Sequence, residues 1–238
     1  MKMMKSVIQL SILPMGMINS FVIKGTKKHI LVDSGIPGSE KKILDQLDSY
    51  GIDSKDIGLI IITHGHIDHF GSAAALKLKL GVPLLIHDLD AVALRTGKSM
   101  VETLNPNKKF WNILKRKLIR DVATSCEPDV VLNGDCNYDL NEWGIDGKVI
   151  HTPGHTPGSL SVILDDGNAI IMDLASSGIL LGGIMFYSRM KHPPFHDDLS
   201  ALKKSIEKVL TEKADKFYLG HGGPVSRKDL MQYLVRFL

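Results

Sequence analysis

The chain of 238 residues carries 29 Lys and Arg against 26 Asp and Glu, a formal net charge of +3, with 44% hydrophobic and 23% charged residues. That length supports one domain with a sizeable core, and that composition is ordinary for a soluble globular protein. So small a net charge gives no argument for nucleic acid, and no apolar stretch is long enough to span a bilayer.

In chain order, the N-terminal MKMMKSVIQLSILPMGMINSF is interrupted by Gln9, Ser11, Pro14, Gly16 and Asn19, which predicts a first strand rather than a signal peptide. SVIQLSIL, SFVIKG and KKHILVDSG read as strands, the third ending at Asp33 and Gly35. Ser39 is the expected cap of a helix through Tyr50, with Ile43, Leu44 and Leu47 on one face and Gly51 as its stop. GLIIITH is a short, wholly apolar strand, as in a sheet covered on both faces. Residues 71–80 are helical in composition, and PLLIH is the next strand. This alternation of strand and helix argues for α/β layering.

Residues 88 to about 125 read as a helical insertion with a basic run, KFWNILKRKLIRD. Two readings stand: a helix with Phe110, Ile113, Leu114 and Leu118 packed inward, or a lid facing the substrate. A membrane-surface helix is the weaker third. The second half resumes with GKVIHTPGH, a strand entering a Pro/Gly turn. LSVIL and NAIIMD form a predicted hairpin across Asp165, Asp166 and Gly167. Asp197 or Asp198 caps a helix carrying Leu199, Leu202, Ile206, Val209 and Leu210, and Ser226 with Asp229 resembles a capping box for the last one. Cys126 and Cys136 match no zinc or redox spacing, so two reduced thiols in a cytoplasmic protein are expected. The strand-Asp and strand-His-turn patterns occur in both halves, a faint internal echo. No linker separates the halves, so residues 1–238 are expected to form one domain.

The chemistry concentrates in THGHIDHFG, where His64, His66, Asp68 and His69 fall within six positions. Neutral imidazole and carboxylate are good ligands for zinc, iron and manganese. Neighbours such as Asp68 and His69 do not easily join His64 and His66 on one ion, but suit a second ion beside it. Further candidates come at other strand ends. His155 lies in HTPGHTPGS, with Pro153 and Pro157 stiffening the turn and Gly154 and Gly158 allowing close backbone approach. Asp173 ends AIIMD, and His221 lies in LGHGGP.

These motifs, in this order from VDSG to GHGGPV, resemble the metallo-β-lactamase-fold superfamily. The resemblance implies a four-layer αββα sandwich with the site on one edge. It implies that His64, His66 and His155 bind one divalent ion, that Asp68, His69 and His221 bind another, and that Asp173 bridges them. Asp33 would support the site from behind rather than ligate. It also implies two ions, zinc by preference with iron or manganese as alternatives, sharing a hydroxide that Asp68 orients. His66 disfavours the flavodiiron type, Asp173 disfavours true β-lactamases, and the seven-ligand set disfavours persulfide dioxygenases. What remains is similar to glyoxalase II-like thioesterases and acyl-homoserine lactonases, with no clear glutathione-binding pattern near the C-terminus. The expected reaction is hydrolysis of an ester, thioester or lactone in a small-molecule substrate. A phosphodiesterase and an iron oxidoreductase on the same ligands are the alternatives. Phe186, Tyr187 or His192 is a candidate pocket residue, against a surface loop docked by Phe195. His192 and His196 are not expected among the ligands.

Overall fold

The computed structural model describes residues 6–100, 103–179, 185 and 189–237. Its first half builds one six-stranded sheet in chain order: β1 Val7–Leu13, β2 Ile18–Ile23, β3 His29–Val32, β4 Ile57–Ile61, β5 Leu84–His87 and β6 Val130–Leu132. The second half builds another, from β7 Asn137–Asp139, β8 Gly147–His151, β9 Leu160–Leu164, β10 Asn168–Ile170, β13 Lys216–Tyr218 and β14 Val225–Ser226. A small ribbon pairs β11 Ser176–Ser177 with β12 Met190–Lys191. The helices are α1 Glu40–Ser49, α2 Ile67–Phe70, α3 Ala73–Leu80, α4 Asp88–Thr96, α5 Asn112–Arg120, α6 Leu199–Thr211 and α7 Arg227–Phe237.

The layers follow from the alternation of side chains along each strand. In β3, Ile30 and Val32 enter the core between the two sheets while Leu31 faces the helices. In β9, Leu160, Val162 and Leu164 face the other sheet, and Ile163 packs toward α6 and α7. Both sheets are thus apolar on two faces, the αββα sandwich expected from the motifs. The echo between the halves corresponds to one sheet each.

Most predicted elements stand, with differences of physical origin. The 160–170 hairpin pairs Ile163 with Ala169 and Val162 with Ile170. The Ser226–Asp229 capping box forms, and Asp198, not Asp197, caps α6 by accepting from Ser200 N and Ala201 N. Ser39 precedes α1, but its side chain makes no cap; its own N–H donates to Ser72 Oγ instead. The 88–125 stretch is two separate helices, α4 and α5. On the second, Leu118 is buried and Leu114 half-buried, but Ile113 is 76% exposed and Phe110, on the 3-10 turn just before it, is 54% exposed, so the inward packing expected of them does not hold. The nine-residue α5 spends its apolar contact on the cavity described below, leaving those two outside. Phe186 and Tyr187 lie outside the described residues.

Parallel pairing positions the site. β3 lies parallel to β4 with Val32 opposite Ile61, so Asp33 and Thr63 leave the sheet side by side. β10 lies parallel to β13 with Ile170 opposite Tyr218, so the loops carrying Asp173 and His221 also emerge together. Leu160 N bonds Thr63 O and joins the two sheets at this edge.

Candidate metal centre

Four loops at strand ends meet here. His64 and His66 sit on the turn after β4, and the single turn of α2 carries Asp68 and His69. His155 comes from the turn after β8 and His221 from the loop after β13. Asp173 lies on a short 3-10 turn, three residues beyond the end of β10 at Ile170 rather than at the strand end itself. One donor atom from each of His64, His66 and His155 lies within 4.8 Å of the others, and so do donors from Asp68, His69 and His221. The Asp173 carboxylate stands between, 3.5 Å from His155 Nε2, 3.7 Å from His69 Nε2 and 3.1 Å from His221 Nε2.

Hydrogen bonds on the outer side fix which imidazole nitrogen faces the centre. Thr63 Oγ1 donates to Asp33 Oδ2 (2.7 Å) and therefore accepts from His64 Nδ1 (3.1 Å). Thr103 Oγ1 donates to Met100 O and accepts from His66 Nε2, both at 2.7 Å. His69 Nδ1 donates to Asp33, His155 Nδ1 to Phe195 O, and His221 Nδ1 to Met17 O. All five rings thus present their other nitrogen inward. Three buried atoms there, His64 Nε2, His69 Nε2 and Asp173 Oδ1, have no hydrogen-bond partner. His66 Nδ1 and His155 Nε2 stand 2.9 Å apart, and with both protons committed outward two lone pairs face each other. Buried orphan acceptors and opposed lone pairs are what a divalent cation satisfies, so the donor set fits one.

Asp33 also lies within reach of His64 and His69, as a third group of metal-capable atoms. Its oxygens already accept from Thr63 N, Thr63 Oγ1 and His69 Nδ1, which makes it an orienting carboxylate. It adopts φ +59°, a left-handed conformation that aspartate tolerates better than most residues.

Charge within the cluster is uneven. Burial, with the other histidines, lowers His64, and burial likewise lowers His155 to about 4. Burial would lower His69 too, but Asp173, Asp68 and Asp33 outweigh it and raise it to about 9. His221 is raised against burial by Asp173 and Asp68. Burial would raise both carboxyls, yet neighbouring His69 and His221 hold Asp68 and Asp173 below the usual carboxylate range.

The glycines expected to allow close approach do so. A Cβ on Gly154 would stand 2.2 Å from Leu202 N, and one on Gly158 would stand 2.6 Å from Asp90 Oδ1. Asp90 is a residue that motif reading missed. Fully buried, it accepts from Gly65 N (2.7 Å), Thr156 Oγ1 (2.6 Å) and Gly158 N (2.8 Å), tying the His64–His66 turn to the His155 turn. Its signal was available: it shares the inward face of α4 with Ala93 and Leu94, three and four residues on. Asn19, also missed, holds the His221 loop through Leu219 O and Gly222 O.

The centre floors a cavity of about 460 Å³ reached by His66, Asp68, His155, Asp173 and His221. Its walls are mostly apolar, including Leu13, Ile18, Ile36, Leu114 and Phe195, with Lys117 and Asp121 from α5 and just after it. α5 therefore forms part of one wall of this cavity. Phe195 is buried on this wall. His192 donates to or accepts from Tyr233 Oη at 2.8 Å, and neither it nor His196 joins the metal-capable groups among the described residues. Both cysteines are free.

The sequence profile of the metallo-beta-lactamase superfamily matches residues 13–221. The chain belongs to that superfamily. Its motifs place it in the superfamily at the same residues that converge in the centre. A probable metallo-hydrolase of Methanocaldococcus jannaschii is 30% identical over 214 residues, 86% of this chain and 87% of that one. An exodeoxyribonuclease of Streptococcus pneumoniae is 32% identical over 104 residues, covering 44% of this chain and 38% of its own. The solved structure of an archaeal metallo-beta-lactamase superfamily protein from Sulfolobus tokodaii superposes with a TM-score of 0.67 at 21% identity, over 98% of this chain and 86% of that one. The last of these bears on the fold alone.

Proposed function

We propose that this superfamily member is a hydrolase that holds two divalent ions, zinc by preference, and cleaves an ester, thioester or lactone with an apolar acyl part. The supporting observation is the convergence of five outward-anchored imidazoles and two carboxylates on the floor of an apolar cavity. His64, His66 and His155 would hold one ion, Asp68, His69 and His221 the other, with Asp173 between them. When bound, such ions lower the pKa of a coordinated water to near neutrality and polarise a carbonyl oxygen. The chain does the rest. Asp68 opens onto the cavity with its side chain 18% exposed, so it can orient the attacking water by accepting a hydrogen bond from it. The walls exclude bulk water and receive the acyl chain.

A phosphodiesterase reading draws support from the partial likeness to the exodeoxyribonuclease. The cavity opposes it, since Lys117 is the one Lys or Arg among its described lining residues. The deciding experiment is a panel of acyl thioesters, lactones, carboxylic esters and bis-p-nitrophenyl phosphate, assayed on metal-quantified protein. Acyl substrates should turn over, with activity lost to a chelator and regained with zinc. No acyl turnover at two metals per chain, or a preference for the phosphodiester, overturns the proposal. Oxygen uptake by protein purified with iron would favour the oxidoreductase.

A further inference from the structure

Residues 108–120, KKFWNILKRKLIR, hold six of the chain's 29 Lys and Arg and none of its 26 Asp and Glu, so the rest of the chain sums to −3. None of the six takes part in an ion pair among the described residues, and five of them are exposed. Large apolar side chains stand exposed between them: Phe110 at 54%, Ile113 at 76% and Ile119 at 39%. Meanwhile Leu114, Lys117 and Leu118 line the cavity above the metal centre. The segment therefore has two working faces, one forming a wall of the cavity and the other offering aliphatic groups ringed by cations to the outside.

From this we infer that α5 with its flanks docks the protein onto an anionic lipid surface, with the mouth of the cavity against the headgroups. Aliphatic side chains dip below the headgroup level while cations bind lipid phosphates, the pattern of a helix lying in an interface. Two other occupants fit less well. A second copy would bring two cationic faces together, and like charges repel. A nucleic acid would find one well-exposed ring, Phe110, beside exposed Ile113 and Ile119, where successive bases need a row of stacking platforms. The inference stands apart from the reaction proposed above and survives its failure.

The test is co-sedimentation of the full metal-loaded chain with phosphatidylcholine vesicles, with and without phosphatidylglycerol. Binding should need phosphatidylglycerol and weaken with salt. Arg116→Gln with Arg120→Gln should weaken it about 25-fold, near fivefold per cation, and Ile113→Ser about tenfold. These side chains are exposed, so melting temperature and metal content should be unchanged. No phosphatidylglycerol-dependent binding, or binding indifferent to Ile113→Ser, overturns the inference. So does tighter binding to polynucleotide than to vesicles, or an oligomer that Ile113→Ser converts to monomer.

Discussion

Replacing Asp90 with asparagine leaves the volume nearly unchanged but removes one acceptor. The wild-type carboxylate serves three donors at 2.6–2.8 Å: Gly65 N and Thr156 Oγ1 on one oxygen, Gly158 N on the other. An amide oxygen can keep the first two, but its NH2 then confronts Gly158 N–H, and a buried donor loses its partner. That costs about 1–3 kcal/mol, or roughly 4–8 °C in melting temperature for a loss near 2 kcal/mol. The larger effect should fall on metal. Asp90 sets the distance between the His64–His66 turn and the His155 turn, while His69 and His221 are held by Asp33 and Met17. Zinc affinity at the His64–His66–His155 group should drop about 10–100-fold, with the other group little changed. Calorimetric titration of metal-free wild-type and variant protein reads both affinities. A fall in melting temperature with both affinities intact, or an equal loss at both groups, would refute the reasoning.

Gly220→Ala should weaken metal binding at both groups, because the new methyl would stand 2.2 Å from Oδ1 of Asp173, which lies between them, and 2.7 Å from His69 Cε1; elemental analysis of the folded variant should show clearly less metal than wild type. Metal uptake near pH 7 should release protons, since His69, raised to about 9, and His221, also raised, must lose theirs to ligate. His64, His66 and His155 are already neutral there, so the release belongs to the second group, and the share from His69 should fade above about pH 9; calorimetry in buffers of different ionisation enthalpy measures it. Asp198→Ala removes the bonds to Ser200 N and Ala201 N and should cost about 1 kcal/mol, seen as a small drop in melting temperature.

The layers were legible because alternation in strands such as LSVIL and helical spacing in 199–210 are local patterns, and each side of each sheet is apolar. Every expected metal-capable residue arrives at the centre, since a strand followed by a histidine turn carries its own address at a strand end. What sequence did not convey depends on contacts between distant segments. The place of Asp90 on the apolar face of α4 marks it as buried, but not which donors it serves until Gly65 and Gly158 are brought to it from 25 and 68 residues away. Thr103 binds His66 across 37 residues. The misjudged Phe110 and Ile113 share a spacing that fits burial, but it is Leu114 and Leu118 that α5 turns inward, at the cavity wall.

Each candidate ion group takes two donors from loops of the first sheet and one from the second: His64 and His66 with His155, Asp68 and His69 with His221. A bound ion would therefore act as a clasp across the sandwich. Thermodynamic linkage then adds to its cohesion, about 2.7 kcal/mol for each ion present at 100 times its dissociation constant. The two sheets are joined in sequence only by residues 133–136, between Leu132 and Asn137, of which Asn133, Gly134 and Asp135 are exposed. A chain nicked there would be two fragments held by their shared core, and their parting would slow or hasten with the free metal around them.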